Sequence, residues 1–257
     1  MQTWCDSHCH LDFPELASQP DLLAQLTQAG CCGLLVPATT VQSFAAVRAL
    51  ADNNPGFIWP AFGLHPYFMA QHKAGDLNQL RLELEKTCIA VGEIGLDFMI
   101  DADRNAQIVL FRQQLQLARE YGLPIILHAR KSLDEISSIL KQEKFTQGGI
   151  VHAFSGSLVQ AQRFIDQGFV LGIGGAVTYA RANKLRHTVS TLPLDSLVLE
   201  TDAPDMRPSF VQGHNSPRYL PEIAQHIATL RGMPLELLLN SSCENLSRIL
   251  KVKLCAH

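Results

Sequence analysis

The chain alternates short apolar runs with longer stretches in which apolar residues recur at helical spacing. Eight of these runs are bounded by glycine, proline or polar residues, and all but the first contain valine, isoleucine or leucine, as expected for buried parallel strands. In chain order the runs are TWCDSHCH, GLLVPATT, IWPAFGLHP, CIAVGEIGLD, PIILHAR, GIVHAFSG, FVLGIGG and LVLETDAP. The stretches predicted as helices are 21–29, 41–53, 76–86, 104–121, 131–143, 157–167, 181–191 and 217–231.

This strict alternation predicts an α/β fold with a parallel sheet, and eight units are the number that closes a (β/α)8 TIM barrel. An open doubly wound sheet is the alternative for the same order of elements. Segment 234–252 is predicted to form one or two further helices that cover the barrel. Since no linker rich in serine, proline or glycine divides the chain, residues 1–257 are predicted to form a single domain.

Composition and charge narrow the functional classes. The 257 residues carry a formal charge of −3, which argues against a generally basic nucleic-acid-binding surface but allows a local cluster of arginines. The opening MQTWCDSH does not resemble a signal peptide, and no apolar run reaches the roughly 18 residues that suggest a membrane helix. Seven irregularly spaced cysteines do not resemble a disulfide framework. We therefore expect a cytoplasmic protein with reduced cysteines and no obligate protein partner.

Residues that can bind metal ions occur toward the carboxyl ends of the predicted strands, where barrel enzymes form their active sites. These residues are His8, His10, Glu93, His128, His152 and Asp202. A single histidine after an apolar run is more often a hydrogen-bonded core residue than a ligand. A carboxylate there is harder to explain, because burying it costs several kcal/mol unless it is paired or metal-bound. The six residues together favour a metal site.

The stretch CDSHCHLD contains both cysteines and histidines as possible ligands. On a strand, His8 and His10 share one face with Asp6, whereas Cys5 and Cys9 face the other way. We therefore expect the histidines to point into the barrel mouth and the cysteines to pack against helices. A zinc knuckle is the alternative, but the second regularly spaced cysteine pair that such sites need is missing.

Four histidines and two carboxylates form a mixed nitrogen and oxygen ligand set. Such a set suits Zn²⁺, Mn²⁺, Ni²⁺ or Fe²⁺ better than Ca²⁺, and Mg²⁺ is a further candidate. One ion rarely takes six such ligands, so two divalent metal ions per chain, bridged by a carboxylate, are predicted. Glu93 is the predicted bridge because it has two oxygens and a central place in the strand order.

Several motifs together resemble a known family. DSHCHLD, GLHP, VGEIGLD, LHAR, HAFSG and ETDAP are similar, in this order and over essentially the whole chain, to the TatD-type metal-dependent hydrolases of the amidohydrolase superfamily. The stretch GGAVTYARANK is most similar to one bacterial paralogue within that family. The resemblance implies one metal bound by His8, His10 and Asp202, and another bound by His128 and His152.

The resemblance also implies hydrolysis of phosphodiester bonds in DNA, with Glu93 between the two metals. Many members of the superfamily use a modified lysine as the bridge, but this chain has no lysine in its fourth or fifth predicted strand. The resemblance implies that Glu93 takes that role here, as is usual in the TatD branch. The expected partner is therefore DNA or an oligonucleotide, bound with little dependence on base sequence.

Five residues are predicted to take part in proton transfer or in positioning. Asp202 would accept a proton from the attacking water, which Glu93 would help to hold between the ions. His65 in GLHPY would contact the phosphate or protonate the leaving group, with packing as the alternative. Asp6 and Glu200 would orient the ligand histidines or nearby donors, with a structural hydrogen-bonded carboxylate as the alternative.

Cationic side chains near the barrel mouth are the candidate phosphate contacts. Arg130 and Arg207 follow predicted strands, and the planar fork of arginine matches phosphate oxygens. A solvated surface side chain is the alternative for each. Aromatic residues for base stacking are not obvious, although Tyr67 and Phe98 lie near strand ends.

The predicted function is a binuclear metal-dependent hydrolase that acts as a phosphodiesterase on DNA ends or short oligonucleotides. An alternative is a hydrolase of the same fold that cleaves a small amide, lactone or phosphoester, because barrels change substrate through their loops. A third hypothesis is a metal-binding protein without catalytic activity, but all six candidate ligands are present.

Overall fold

The computed structural model describes residues 2–253, which contain eight parallel strands in one sheet. The strands lie side by side in sequence order, from β1 to β8. Their bounds are β1 Trp4–Asp6, β2 Cys31–Pro37, β3 Ile58–Phe62, β4 Ala90–Asp97, β5 Ile125–Arg130, β6 Gly149–Val151, β7 Phe169–Ile173 and β8 Leu197–Leu199. All seven pairings between consecutive strands are parallel.

The first and last strands meet through the segments that follow them. The Ser7 N–H donates to the Leu199 carbonyl at 2.9 Å, and the Asp202 N–H donates to the His8 carbonyl at 2.8 Å. These hydrogen bonds bring the two edges of the sheet together, so the predicted TIM barrel is confirmed and the open doubly wound alternative is wrong.

Helices connect the strands as the periodicity predicts. They are α1 Pro14–Ala17, α2 Leu22–Gln28, α3 Val41–Asn53, α4 Asp76–Leu84, α5 Arg104–Tyr121, α6 Leu133–Gln142, α7 Leu158–Asp166, α8 Asn183–Thr191, α9 Leu220–Arg231 and α10 Leu235–Leu250. Sequence signals explain the sharp ends of α5: the Asp103 side chain accepts the Asn105 N–H, and Gly122 ends the helix at a positive φ of 66°. None of the helices within residues 2–253 is long and apolar enough to cross a membrane.

Alternate strand side chains form two apolar clusters. The outer cluster packs strand residues such as Leu34 and Leu127 against the surrounding helices. The inner cluster fills the barrel with strand residues that include Leu35, Trp59 and Ile126. Helix α10 adds its own side chains to this inner cluster, among them Leu246. Two cores therefore share the same eight strands, one on each face of the closed sheet.

The inner cluster lies at the amino-terminal end of the barrel. On β5, Ile126 of this cluster precedes His128, and Ile150 of β6 precedes His152 in the same way. Because all strands are parallel, α10 closes one end of the barrel and the predicted ligands lie at the other. Within the described residues, α10 lies in segment 234–252 and packs against the inner cluster.

The alternation expected for CDSHCHLD does not continue through the whole stretch. Strand β1 ends at Asp6, and the chain then bends toward β8. Cys9 packs in the outer cluster as predicted, but Cys5 belongs to the inner cluster. Cys5 packs against a helix, α10, but from inside the barrel, so the prediction that it faces away from the side of His8 and His10 is wrong, because a period of two holds only while the chain remains a strand.

Candidate metal centre

The six predicted ligands meet at the carboxyl end of the barrel. Two of them belong to β4 and β5, and the other four lie in the segments that follow β1, β6 and β8. Five are buried, and the side chain of the sixth, His128, is 12% exposed. The fold therefore brings together residues that are up to 194 positions apart in the chain, His8 and Asp202 being the most distant pair.

Glu93 lies at the middle of this group, and its two carboxylate oxygens face different histidines. Oε2 is 3.1 Å from His8 Nε2 and 3.5 Å from His10 Nε2. Oε1 is 2.8 Å from His152 Nε2 and 3.1 Å from His128 Nδ1. One buried side chain thus divides the site into two halves.

The first half contains His8, His10 and Asp202. The two Nε2 atoms are 3.3 Å apart, and Asp202 Oδ1 is 3.6 Å from His8 Nε2 and 3.7 Å from His10 Nε2. Ligand atoms at about 2.0–2.2 Å from one shared ion would be separated by roughly 3–3.5 Å, so these atoms have the spacing of a ligand set. The residues present therefore fit a divalent metal ion.

The second half contains His128 and His152, whose Nδ1 and Nε2 atoms are 3.3 Å apart. His65 also approaches this half, with its Nε2 atom 2.8 Å from Glu93 Oε1. The other ring nitrogen of His65 accepts the Tyr67 N–H at 3.0 Å. The His65 proton is therefore on Nε2, where it is donated to Glu93.

Asp97 is a residue of the site that the sequence analysis missed. Its Oδ2 atom lies 3.1 Å from His128 Nε2, the nitrogen that points away from Glu93. Asp97 is fully buried, and its Oδ1 atom accepts the Met99 N–H at 2.9 Å. The signal was present in VGEIGLD, because Glu93 and Asp97 are four residues apart on one strand and share a face. A carboxylate that holds the outer nitrogen of a ligand histidine is a common feature of metal sites.

Asp6 and Glu200 contact backbone groups beside the ligands. Asp6 Oδ1 accepts the His8 N–H at 3.1 Å and the Thr201 N–H at 3.0 Å, which links the segments after β1 and β8. Glu200 Oε1 accepts the Ala153 N–H at 2.5 Å and lies 3.9 Å from His152 Nδ1. Asp6 therefore contacts the backbone of the predicted ligand His8, whereas Glu200 lies beside the ring of the predicted ligand His152.

Burial and neighbouring charges of both signs shift the pKa values of several side chains in the site. Burial alone would raise the pKa of Glu93, but the surrounding histidines, first among them His65, hold it well below its usual range. Burial opposes protonation of His152, yet Glu93 and Asp202 raise its pKa to about 10. Burial lowers the pKa of His65 to about 4 and raises that of Glu200 to about 8. Perturbed titratable groups in a cleft are typical of functional sites.

An open cleft of about 1280 Å³ lies over these residues. Arg130, Lys131 and Lys184 supply positive charge to its walls, and the Arg130 side chain is 56% exposed and lies 3.8 Å from Asp97 Oδ2. Arg207 is exposed but is not among the residues that line the cleft. The structure therefore brings Arg130 to the site and leaves Arg207 outside it.

Aromatic side chains are more prominent in the cleft than the sequence suggested. Phe13, Tyr67, Phe68 and Phe98 all line it, and Tyr67 is 56% exposed. Tyr67 and Phe68 are carried by a short 3-10 helix, Pro66–Gln71, that follows β3. The cleft thus combines cations with exposed rings above a buried cluster of ligands.

The chain is similar to proteins of one family over nearly its whole length. The family model described as TatD related DNase matches residues 5–251. YjjV of Escherichia coli, described as an uncharacterized metal-dependent hydrolase, is 43% identical over 237 residues, which cover 90% of this chain and 91% of YjjV. The 3'-5' ssDNA/RNA exonuclease TatD of Erwinia billingiae is 33% identical over 237 residues, covering 88% of this chain and 91% of that protein.

The fold agrees with these similarities. The crystal structure of E. coli YjjV superimposes with a TM-score of 0.93 at 39% identity, covering 97% of this chain and 98% of that one. YjjV is the bacterial paralogue that the sequence analysis indicated, so the resemblance to the TatD family and to this paralogue is confirmed. The chain belongs to the TatD family of metal-dependent hydrolases.

Proposed function

We propose that this protein is a binuclear metal-dependent phosphodiesterase that hydrolyses single-stranded DNA or short oligonucleotides. The observation that carries the proposal is the division of the Glu93 carboxylate between two groups of ligands. Oε2 faces His8 and His10, and Oε1 faces His128 and His152. A single carboxylate with each oxygen in a different ligand set suits a bridge between two ions.

Each half of the site supplies ligands for one ion. His8 Nε2, His10 Nε2, Asp202 Oδ1 and Glu93 Oε2 would hold the first. His128 Nδ1, His152 Nε2 and Glu93 Oε1 would hold the second. When bound, two such ions polarise the phosphodiester and lower the pKa of a water molecule between them.

Asp202 is the group best suited to accept the proton of the attacking water. It lines the cleft, and its side chain is 13% exposed. Burial raises its pKa above the usual range, so its affinity for a proton is greater than that of an ordinary aspartate. The low pKa of Glu93 keeps that carboxylate ionised, which suits a bridging ligand instead of a proton acceptor.

His65 is best suited to positioning Glu93. Its Nε2–H donates to Glu93 Oε1, and its Nδ1 atom accepts the Tyr67 N–H. Neither ring nitrogen is therefore left to protonate a leaving group in this arrangement, although His65 lines the cleft. We therefore favour positioning of the bridge, a role that the sequence analysis did not predict for His65, over the predicted protonation of the leaving group.

The cleft favours a polymeric anion over a small ligand. Its volume of about 1280 Å³ exceeds the roughly 300–1,000 Å³ of small-molecule pockets. Arg130 and Lys131 can contact phosphate oxygens, and exposed rings such as Tyr67 can stack on bases of any sequence. The relative named 3'-5' ssDNA/RNA exonuclease supports the same substrate class.

The test is turnover of single-stranded DNA labelled at either end by the metal-loaded protein, beside duplex DNA and a panel of small phosphoesters, lactones and amides. We expect shortened single strands and loss of that activity in Asp202→Asn, with bound metal retained. Turnover confined to the small substrates would identify the alternative hydrolase. Wild-type activity in Asp202→Asn would refute the proposed proton acceptor.

A further inference from the structure

Three cysteine thiols meet inside the barrel, in the inner cluster, and none of them lines the cleft. Cys5 lies on β1, Cys32 on β2 and Cys243 on α10. The Sγ atom of Cys5 is 3.1 Å from that of Cys32 and 3.2 Å from that of Cys243. All three residues are 6% exposed or less. The fold thus brings three sulfur atoms into contact from the first and last parts of the chain.

Neither a disulfide nor a catalytic nucleophile accounts for this thiol cluster of Cys5, Cys32 and Cys243. The sulfur separations exceed the roughly 2.05 Å of a disulfide bond by about 1 Å. Contacts with Cys243 and Cys32, together with burial, hold the pKa of Cys5 well above its usual range. Reactive cysteines instead have lowered pKa values and electropositive surroundings.

The surroundings of the thiol cluster are apolar. Its neighbours in the inner cluster include Leu35 and Trp59. Cys32 also donates to the Trp4 carbonyl at 3.4 Å. As a group of potential ligand atoms within the described chain, the cluster consists of sulfur alone, with its atoms within 4.8 Å of one another. Sulfur ligands select soft, thiophilic ions over Mg²⁺, Ca²⁺ or Mn²⁺.

We propose that Cys5, Cys32 and Cys243 form a sulfur-only binding site for a thiophilic metal ion of the Zn²⁺ and Cd²⁺ type. Each sulfur that binds as a thiolate releases its proton to solvent. When a divalent ion displaces the protons of two of the thiols to solvent, the ion and the two thiolates form a neutral complex, which suits an apolar environment, and the third sulfur binds as a neutral thiol that keeps its proton. The bound ion links β1 and β2 to α10 and so holds α10 at the amino-terminal end of the barrel.

Cadmium is the probe that separates this site from the one in the cleft. Thiolate ligands to Cd²⁺ produce a charge-transfer absorption in the ultraviolet, whereas imidazole and carboxylate ligands do not. We expect the wild-type protein, kept reduced with a phosphine, to develop this absorption and to saturate at one equivalent of sulfur-bound Cd²⁺. Cys243→Ser should lose most of the absorption. Cys88→Ser, which changes a cysteine outside the cluster, should retain it.

A second measurement on the wild-type protein guards against a variant that does not fold. Cadmium NMR of the loaded protein should contain a resonance in the range of sulfur-rich sites, in addition to any from nitrogen and oxygen ligands. Circular dichroism checks the fold of each variant. Resonances from nitrogen and oxygen ligands alone would overturn the proposal, as would wild-type absorption in a folded Cys243→Ser protein. Neither result depends on nuclease activity.

Discussion

Replacing Asp97 by asparagine tests whether the second half of the metal centre depends on a residue outside the ligand set. Asp97 Oδ2 is 3.1 Å from His128 Nε2, and the carboxylate is fully buried. Burial would raise the pKa of Asp97, but the hydrogen bonds from His128 and the Met99 N–H lower it. The group is therefore an anion that holds the His128 ring with Nδ1 toward Glu93 and His152.

The expected loss follows from the hydrogen bonds. An asparagine whose oxygen accepts the Met99 N–H would turn its amide NH₂ toward His128 Nε2–H, so two donors would face each other. The lost interaction is a hydrogen bond to a charged group, which contributes about 1.5–3 kcal/mol. Since 1.4 kcal/mol is about tenfold in affinity, we expect metal binding by His128 and His152 to weaken roughly 10- to 100-fold.

The assay is a chelator competition that reports both ions separately, supported by elemental analysis after dialysis. Asp97→Asn should lose the ion bound by His128 and His152 and retain the ion bound by His8 and His10. Added metal should restore activity. Asp134→Asn is the matched control, because Asp134 lines the cleft but is 68% exposed and pairs with Arg163 at 2.9 Å. Unchanged affinity for both ions in a folded Asp97→Asn protein would refute the reasoning.

Three further changes test other parts of the centre. Glu93→Gln offers one ligand oxygen in place of two, so at least one of the two ions should be lost and hydrolysis should become undetectable. Two ions per chain in elemental analysis of this variant would contradict the role of Glu93 as a bridging ligand. Arg130→Ala removes a charge-assisted hydrogen bond to a substrate phosphate, which contributes about 1.5–3 kcal/mol. Steady-state kinetics on oligonucleotides should therefore give a KM raised about 10- to 100-fold with little change in kcat. An unchanged KM would exclude a phosphate contact by Arg130. The pKa of metal-free His152 is about 10, so binding of metal near neutral pH should release the His152 proton, and this proton release should vanish as the pH rises through that value. Calorimetry of metal binding in buffers of different ionisation enthalpy measures the number of protons released. Binding heats that do not depend on the buffer would contradict the prediction.

The barrel could be predicted from the sequence because its signals are local and repeated. Most strands are apolar runs between breaking residues, and α3 and α5 begin and end at the predicted positions. The bounds of α5 follow from Asp103 at its start and Gly122 at its end, which act within one turn of the chain. Because the strands are parallel, all their carboxyl ends lie on one side of the barrel. The sequence alone therefore predicts that the six candidate ligands lie close together.

Local patterns fail where the tertiary structure bends the chain. The hydrogen bonds from the backbone of His8 and Thr201 to Asp6 join the segments after β1 and β8, and β1 ends at Asp6. The alternation assumed for CDSHCHLD stops at that point, and Cys5 turns into the barrel. Asp6 accepts a hydrogen bond from Thr201, which is 195 positions away in the chain. A pattern read from neighbouring residues therefore cannot show where this strand ends.

Side-chain direction explains the remaining differences. Asp97 ends a strand, where a charged residue is usually solvated; its spacing from Glu93 indicates a shared face, and its contact with His128 shows its place in the site. Arg207 follows the last strand but is exposed and is not among the residues that line the cleft. Tyr67 enters the cleft because a short 3-10 helix turns it there. Position after a strand therefore predicts proximity to the mouth of the barrel but not the direction of the side chain.

Anomalous X-ray diffraction from crystals of the protein loaded with Mn²⁺ tests the two-ion centre most directly. Mn²⁺ prefers nitrogen and oxygen ligands to sulfur, so the thiol cluster should not contribute to the signal. We predict two peaks on either side of Glu93, one beside His8, His10 and Asp202 and the other beside His128 and His152. A single peak at full Mn²⁺ loading, or a second peak without Glu93 among its ligands, would contradict the account.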